Sequence, residues 1–104
     1  MNTIIVLTEN TIWYQGYMKH HLRNYGINSA GSFKENRLVI NEVCEILFIN
    51  PVDDDSDVEL SANCILDLTD GKCSDAVSSF IERRIHCNYF LFTEIDELIQ
   101  LFRG

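Results

Sequence analysis

The residues best suited to chemistry in this sequence are five acids in a short stretch after its only proline. They are Asp53, Asp54, Asp55, Asp57 and Glu59, which follow Pro51. Closely spaced carboxylates are the ligands that calcium prefers, but an EF-hand loop counted from Asp53 needs glycine at its sixth position and glutamate at its twelfth. Those positions hold Val58 and Cys64. We therefore interpret the stretch as a solvated acidic loop and predict no metal site.

Histidines and cysteines offer the other routes to metal binding or nucleophilic catalysis. His20 and His21 are neighbours on a predicted helix, where their side chains point about 100° apart and cannot share one ion. His86 precedes Cys87, but adjacent residues on a strand face opposite sides. The cysteines form no C-x-x-C pair, and we interpret all four as reduced and mostly buried: Cys44, Cys64, Cys73 and Cys87.

Known catalytic motifs are missing from the sequence. It contains no phosphate-cradling glycine loop, no nucleophile elbow and no H-E-x-x-H motif. We therefore expect the chain not to be an enzyme and to carry no cofactor.

The charge of the chain argues against direct binding to nucleic acid. Its 104 residues carry 16 acidic and 8 basic side chains, a formal net charge of −8. Residues 42–70 contain nine acids and no base, and such a surface repels phosphate backbones. No apolar run approaches the ~18 residues that cross a bilayer, and the start lacks the basic residues of a signal peptide. These features predict one cytoplasmic globular domain with no membrane partner.

Apolar runs and helical patterns alternate along the chain. Strands are predicted at residues 3–7, 27–31, 46–49, 64–68 and 88–92, and helices at residues 11–24, 32–43, 75–84 and 94–103. Asn10 or Thr11 can cap the first helix, and Ser32 with Glu35 matches a capping box at the start of the second. Strands that alternate with helices and are apolar on both faces predict an α/β domain with a parallel sheet of about five strands.

The first predicted helix has two apolar stripes, of which one can face the sheet. One stripe contains Ile12, Trp13, Gly16 and Tyr17; the other contains Tyr14, Met18, His21, Leu22 and Tyr25. The second stripe, with Leu101 of the last helix, is a candidate interface, because aromatic and methionine side chains are typical of buried interface centres. Alternatively, it packs within the monomer beneath the terminal helix.

Several segments resemble receiver domains of bacterial response regulators of the LuxR/FixJ type. Residues 6–17 resemble the first strand and helix of that family, with Gly16 at its helix glycine. In the same order, residues 46–50, 65–69, 88–92 and 97–104 resemble the phospho-acceptor strand, the fourth strand, the fifth strand and the last helix. The resemblance covers nearly the whole chain as a pattern.

The resemblance implies a receiver-like, flavodoxin-like fold: a five-stranded parallel sheet with helices on both faces. It also implies a degenerate phospho-acceptor pocket made of Thr8, Glu9, Asn50, Thr69 and Phe92. Asn50 stands where the family has the aspartate that accepts a phosphoryl group, and Phe92 stands where it has a lysine. Only 14 residues separate Asn50 from Ile65. We therefore expect the family's third helix to be shortened or missing.

These features predict a phosphorylation-independent pseudo-receiver, the N-terminal regulatory or dimerisation domain of a LuxR-type transcriptional regulator. Its expected partner is a second copy or another regulator. Binding to DNA would then require a helix-turn-helix domain beyond residue 104. The alternative is a stand-alone acidic adaptor or anti-activator that binds a transcription regulator through residues 53–59.

Overall fold

The computed structural model describes residues 2–41 and 44–103, without the side chains of residues 32, 33 and 103. These residues contain six strands: β1 Asn2–Leu7, β2 Ser29–Ser32, β3 Arg37–Ile40, β4 Cys44–Ile49, β5 Cys64–Asp67 and β6 Phe90–Phe92. The same described ranges contain three α-helices: α1 Thr11–Asn24, α2 Ser74–Arg84 and α3 Ile95–Arg103. Asn10 caps α1 as predicted, since its Oδ1 accepts the Trp13 N–H at 3.2 Å.

The strands form one sheet in the order β2-β3-β4-β1-β5-β6. Strands β4, β1, β5 and β6 run parallel, whereas β2 and β3 form an antiparallel hairpin that pairs with β4. The prediction of an α/β fold is confirmed. The sheet differs from the expected one because it has six strands within the described residues, and because β3 runs antiparallel to both of its neighbours.

The extra strand arises in residues 32–43, where the predicted helix is wrong. Only Phe33–Glu35 form a helical turn, because Asn36 adopts a left-handed backbone conformation with φ 51°. Leu38 and Ile40 then alternate with half-buried residues, which is the period of a strand. Residues 42 and 43 lie outside the described part. The hairpin also requires Gly31, since a Cβ there would overlap the carbonyl of Arg37.

Helices cover both faces of the sheet, as predicted. Ile4 and Val6 of β1 face α1 and α3, and together they form the larger core with Met18, Leu22, Leu98 and Ile99. Ile5 and Leu7 point the other way and pack against α2, where Val77 and Phe80 are buried. All four of these β1 side chains are buried, so β1 is covered on both faces.

The face of α1 that packs on the sheet corrects the predicted interface. Met18 and Leu22 are fully buried in the core and Tyr14 is half-buried against it, so these residues pack within the monomer. Gln15 is buried beside them and donates a hydrogen bond from Nε2 to Asn36 Oδ1 at 2.6 Å. The other stripe, which was expected to face the sheet, lies on the outward side of α1, where Ile12 and Trp13 are exposed.

Residues 50–63 connect β4 to β5 without a helix. This loop crosses the end of α2, where two arginines bind it. The guanidinium group of Arg84 donates to Asp54 Oδ1 at 2.6 Å and to the Val58 carbonyl at 2.9 Å. Arg83 donates to the carbonyls of Asp54 and Ser56. Asp54 is therefore not solvated as expected, whereas the other four acids of the stretch are exposed.

We predict that Met18→Ala lowers the free energy of unfolding by about 2 to 4 kcal/mol, because it leaves a cavity in a fully buried site. Ile12→Ala on the same helix is the control, since Ile12 is 65% exposed and its truncation should change stability by less than about 0.5 kcal/mol. Urea denaturation measures both values. Equal effects of the two changes would contradict the packing of α1.

We also predict that Arg84→Met lowers the free energy of unfolding by about 3 kcal/mol, because Asp54 then keeps a mostly buried carboxylate without its closest partner. Arg23→Met makes the same exchange on the exposed end of α1 and should stay within about 0.5 kcal/mol. Thermal or urea unfolding followed by circular dichroism tests the pair. A small effect at Arg84 would show that the loop is held by other contacts.

Candidate functional site

The carboxyl ends of the four parallel strands meet at one edge of the sheet. At this edge Leu7 of β1 lies between Ile49 of β4 and Asp67 of β5. The helices that follow β1 and β5 lie on opposite faces of the sheet. The gap between these two strand ends is therefore a topological switch point, which is where open α/β sheets form ligand crevices.

The end of β1 carries Thr8 and Glu9, which the resemblance places in the acceptor pocket. Thr8 is buried; its N–H donates to the Ile49 carbonyl and its Oγ1 accepts the Asn10 N–H, both at 3.0 Å. Glu9 is exposed. The hydroxyl of Thr8 thus orients the chain that leads into α1, and Glu9 remains a strand-end acid in solvent.

Asn50, at the end of β4, has its side-chain amide bound at both ends. Its Oδ1 accepts the Val52 N–H at 3.0 Å, and its Nδ2 donates to Asp53 Oδ2 at 3.1 Å. A longer contact of 3.5 Å joins Nδ2 to the Glu9 carbonyl. These bonds hold the turn that begins the acidic loop, so the amide acts as a local cap.

The end of β5 holds a carboxylate that the sequence analysis did not select as a site residue. Asp67 Oδ1 accepts the Thr69 N–H at 2.9 Å and the Thr69 hydroxyl at 2.6 Å. Thr69 is buried, and the next residues, Asp70 and Gly71, both have positive φ angles, 57° and 74°. The predicted strand continued to Leu68, so Asp67 was placed inside it. The sequence signal that could have identified Asp67 is an acid at the end of an apolar strand.

The spatial order of the strands changes which residue lies at the switch point. Counted along the chain, the parallel strands are arranged second, first, third, fourth across the sheet. The strand that ends at Asn50 is the second in this order, although the resemblance placed it third. β5 occupies the third place, so Asp67 lies beside Thr8 at the crevice.

The crevice beside β5 is lined by Tyr14, Asp67, Leu68, Asp70, Gly71 and Thr93. Phe92, the residue at the predicted lysine position, is half-buried and packs against the larger core. Within residues 2–41 and 44–103, no group of three or more histidine, cysteine, aspartate or glutamate side chains is close enough to hold a metal ion. The edge thus brings Thr8, Asn50, Asp67 and Thr69 to neighbouring strand ends.

An aromatic row lies on the outer side of α1. Trp13 stacks on Tyr17 with ring centroids 5.1 Å apart, Tyr17 stacks on His21 at 5.6 Å, and His21 meets Tyr25 edge-on at 5.5 Å. His21 Nε2 also lies 3.7 Å from Asp96 Oδ1 of α3. The row combines members of both predicted stripes, since residues four apart are neighbours on a helix. Leu101 of α3, the last member of the predicted interface, is 51% exposed.

The cysteines take no part in this edge. Cys44 and Cys64 are buried, and Cys87 is exposed. Burial raises the pKa of the Cys44 thiol, and the neighbouring Cys64 and Glu45 raise it further. Burial also raises the pKa of Cys64. The two buried thiols are therefore protonated at neutral pH and poor nucleophiles.

Comparison of the chain with protein-family models, with curated proteins and with solved structures gives no match. Within the described residues, no helix has both the length and the apolar character needed to cross a membrane. Function is therefore inferred from the arrangement of the side chains described above.

We predict that Thr69→Val lowers the free energy of unfolding by about 1.5 kcal/mol or more, because it removes the 2.6 Å hydrogen bond to the Asp67 carboxylate. Thr69→Ser keeps the hydroxyl and should cost less than about 1 kcal/mol, the value of one methyl group. Chemical denaturation of the two variants measures the difference. If both lose the same stability, the hydroxyl does not hold the turn.

Proposed function

We propose that this chain is a phosphorylation-independent pseudo-receiver, the regulatory and dimerisation domain of a LuxR-type transcriptional regulator. The resemblance of its segments to receiver domains supports this function. So does the arrangement of its four parallel strands, which has the order expected for the first four strands of a flavodoxin-like sheet.

The observation that carries the proposal is the local bonding of the polar side chains at the carboxyl edge. Phosphoryl transfer to a protein carboxylate requires the acceptor oxygen, carboxylates that hold magnesium and a cation that balances the developing charge. Asn50 has a neutral amide that is bound on both sides. The hydroxyl of Thr8 accepts the Asn10 N–H just before α1. Phe92, which the resemblance placed at the lysine position, ends the fourth parallel strand and packs against the larger core.

Asp67 has a structural role in this proposal. One of its oxygens accepts both hydrogen bonds from Thr69, which fixes the turn before α2. A carboxylate that accepts phosphate must present an oxygen in line with the phosphorus atom, and these two bonds leave Oδ2 for that role. Its position at the switch point makes Asp67 the carboxylate to test.

Regulation without phosphate has to act through binding surfaces. The outer side of α1 offers one, because Trp13 is 54% exposed, Tyr17 is 39% exposed and Tyr25 is 42% exposed. Aromatic side chains bring large contact areas and lose little conformational entropy when they are buried. The proposed domain therefore signals by association with a partner protein.

The alternative function, an acidic adaptor, is favoured by one observation. Arg83 and Arg84 hold the loop against α2, while the carboxylates of Asp53, Asp55 and Glu59 remain exposed. An ordered acidic surface can bind a basic patch on a regulator with electrostatic complementarity. In this alternative the acidic loop contacts the partner, whereas the proposed pseudo-receiver contacts it through the outer side of α1.

The proposal predicts that incubation with a small phosphodonor and magnesium leaves the protein unmodified. Intact-mass spectrometry should show no added phosphoryl group, and beryllofluoride with magnesium should leave the fluorescence of Trp13 unchanged. The reason is that, among the described residues, no group of three or more aspartate, glutamate, histidine or cysteine side chains is close enough to hold magnesium. An active receiver with known phosphate uptake, treated in parallel, serves as the positive control.

The variant Asp67→Asn makes the test specific. Acid-labile phosphate on the native chain that disappears in this variant would show an active receiver with Asp67 as the acceptor, and would overturn the proposal. Phosphate that remains on the Asp67→Asn variant would show that another side chain is phosphorylated. That result would also contradict a phosphorylation-independent domain.

A further inference from the structure

A cavity opens at the amino-terminal edge of the parallel strands, at the far end of the sheet from the crevice beside β5. Its volume is about 370 Å³, which lies in the range of small-molecule sites. The starts of β1, β4 and β5, the end of β3 and the end of α3 contribute to its lining. Because the candidate site lies at the carboxyl ends of the same strands, the two are separate.

The floor of the cavity is apolar and belongs to the larger core. It consists of Ile4 of β1, Ile40 of β3, Cys44 of β4 and Cys64 of β5, all of them buried. The two thiols are protonated at neutral pH, so the floor carries no charge. Such a floor favours apolar groups and disfavours an ion, which would lose its hydration there.

The rim of the cavity carries three carboxamides. Asn2, Asn41 and Asn63 line it and are exposed. Asn63 Oδ1 accepts the Thr3 N–H at 3.0 Å, which orients that side chain. Within residues 2–41 and 44–103, the side-chain amides of Asn2 and Asn41 have no hydrogen-bond partner. Each of these two amides can therefore offer donors and an acceptor to a polar group without charge.

The end of α3 completes the lining with two apolar side chains. Leu101 is 51% exposed, and Phe102 is half-buried against the larger core. The described lining residues thus include no lysine, arginine, histidine, aspartate or glutamate, although the chain as a whole carries 24 charged side chains, 16 acidic and 8 basic. A molecule in the cavity contacts both the sheet and the last helix.

We propose that this cavity binds a small uncharged molecule with an apolar body and one amide-like hydrogen-bonding group. The apolar body lies on the floor against Ile4, Cys44 and Cys64, and the polar group bonds to Asn2 or Asn41. Phosphate-bearing ligands and amines are excluded, because the lining offers no opposite charge to offset their desolvation. This site goes beyond the proposed function and does not depend on it.

Three probes of nearly the same shape test the preference for an uncharged ligand: benzamide is neutral, benzoate is negative and benzamidine is positive. Protein-observed NMR titration at about 0.15 M salt, which screens the net charge of the chain, measures their dissociation constants. Benzamide should bind with a dissociation constant of about 1 to 10 mM, as expected for a ligand of about nine heavy atoms. The two ions should bind about fivefold more weakly or worse. The largest shifts should fall on the amides of Ile4, Cys44 and Cys64.

The variant Leu101→Asp places a carboxylate at the rim, on a side chain that already contacts solvent. It should make benzamidine bind more tightly than benzamide, because the cation then gains a partner. Leu91→Asp is the matched control, since Leu91 is 53% exposed on β6 and does not line the cavity. It should leave the order of the three affinities unchanged. Equal effects of the two substitutions would contradict the placement of the site.

The double variant Asn2→Ala/Asn41→Gly removes both unbonded carboxamides. Glycine accepts the positive φ of 51° that Asn41 adopts, so the backbone is preserved. Benzamide should then bind about fivefold more weakly, which is the value of one hydrogen bond. An unchanged affinity would show that the rim does not recognise the polar group, and would overturn that part of the proposal.

The comparison of the three probes uses the unmodified chain, so it decides the proposal even where a variant does not fold. Absence of saturable benzamide binding, equal affinities for all three probes, or shifts centred on the crevice beside β5 would each overturn it. Such a failure would leave the silent acceptor pocket intact. Conversely, phosphate uptake at Asp67 would overturn the silent receiver and leave this cavity intact.

Discussion

The contact between Arg84 and Asp54 is the constraint on which the α2 side of the molecule depends. A connection between the parallel strands β4 and β5 has to cross β1, and such crossings are usually made by a helix that covers the sheet. Here a loop makes the crossing, and the loop has no internal hydrogen-bond ladder. The two arginines at the end of α2 supply the bonds instead, and the Leu60 N–H adds one to the Arg84 carbonyl at 2.7 Å. Ile5 and Leu7 stay covered as a result.

Local sequence patterns were sufficient to predict the strand with a continuous apolar run and the helices with clear apolar periodicity. β1, α1 and α2 lie close to their predicted positions because their apolar patterns, and for α1 also its cap, agree with their burial. Residues 32–43 were not predictable in this way, since the capping box of Ser32 and Glu35 favoured a helix. The strand forms because Asn36 reverses the chain and β4 offers an open edge, which is a tertiary effect.

The candidate site shows a similar division. The sequence placed Thr8, Asn50 and Thr69 at strand ends, and all three lie there. It could not show which strand ends are neighbours, because strand order depends on the path of the connections rather than on any one segment. The hydrophobic stripes of α1 had the same ambiguity: two sides were apolar, and only the position of the helix on the sheet buried Met18 and exposed Trp13.

The β2–β3 hairpin gives the sheet two unlike margins. At its far margin β2 consists of Ser29, Ala30, Gly31 and Ser32, with no large apolar side chain to bury. A sheet whose two margins were both adhesive could add copies without end and grow into a fibril. Because β2 offers only small and polar side chains to a further strand, the sheet has little means of growing at that margin.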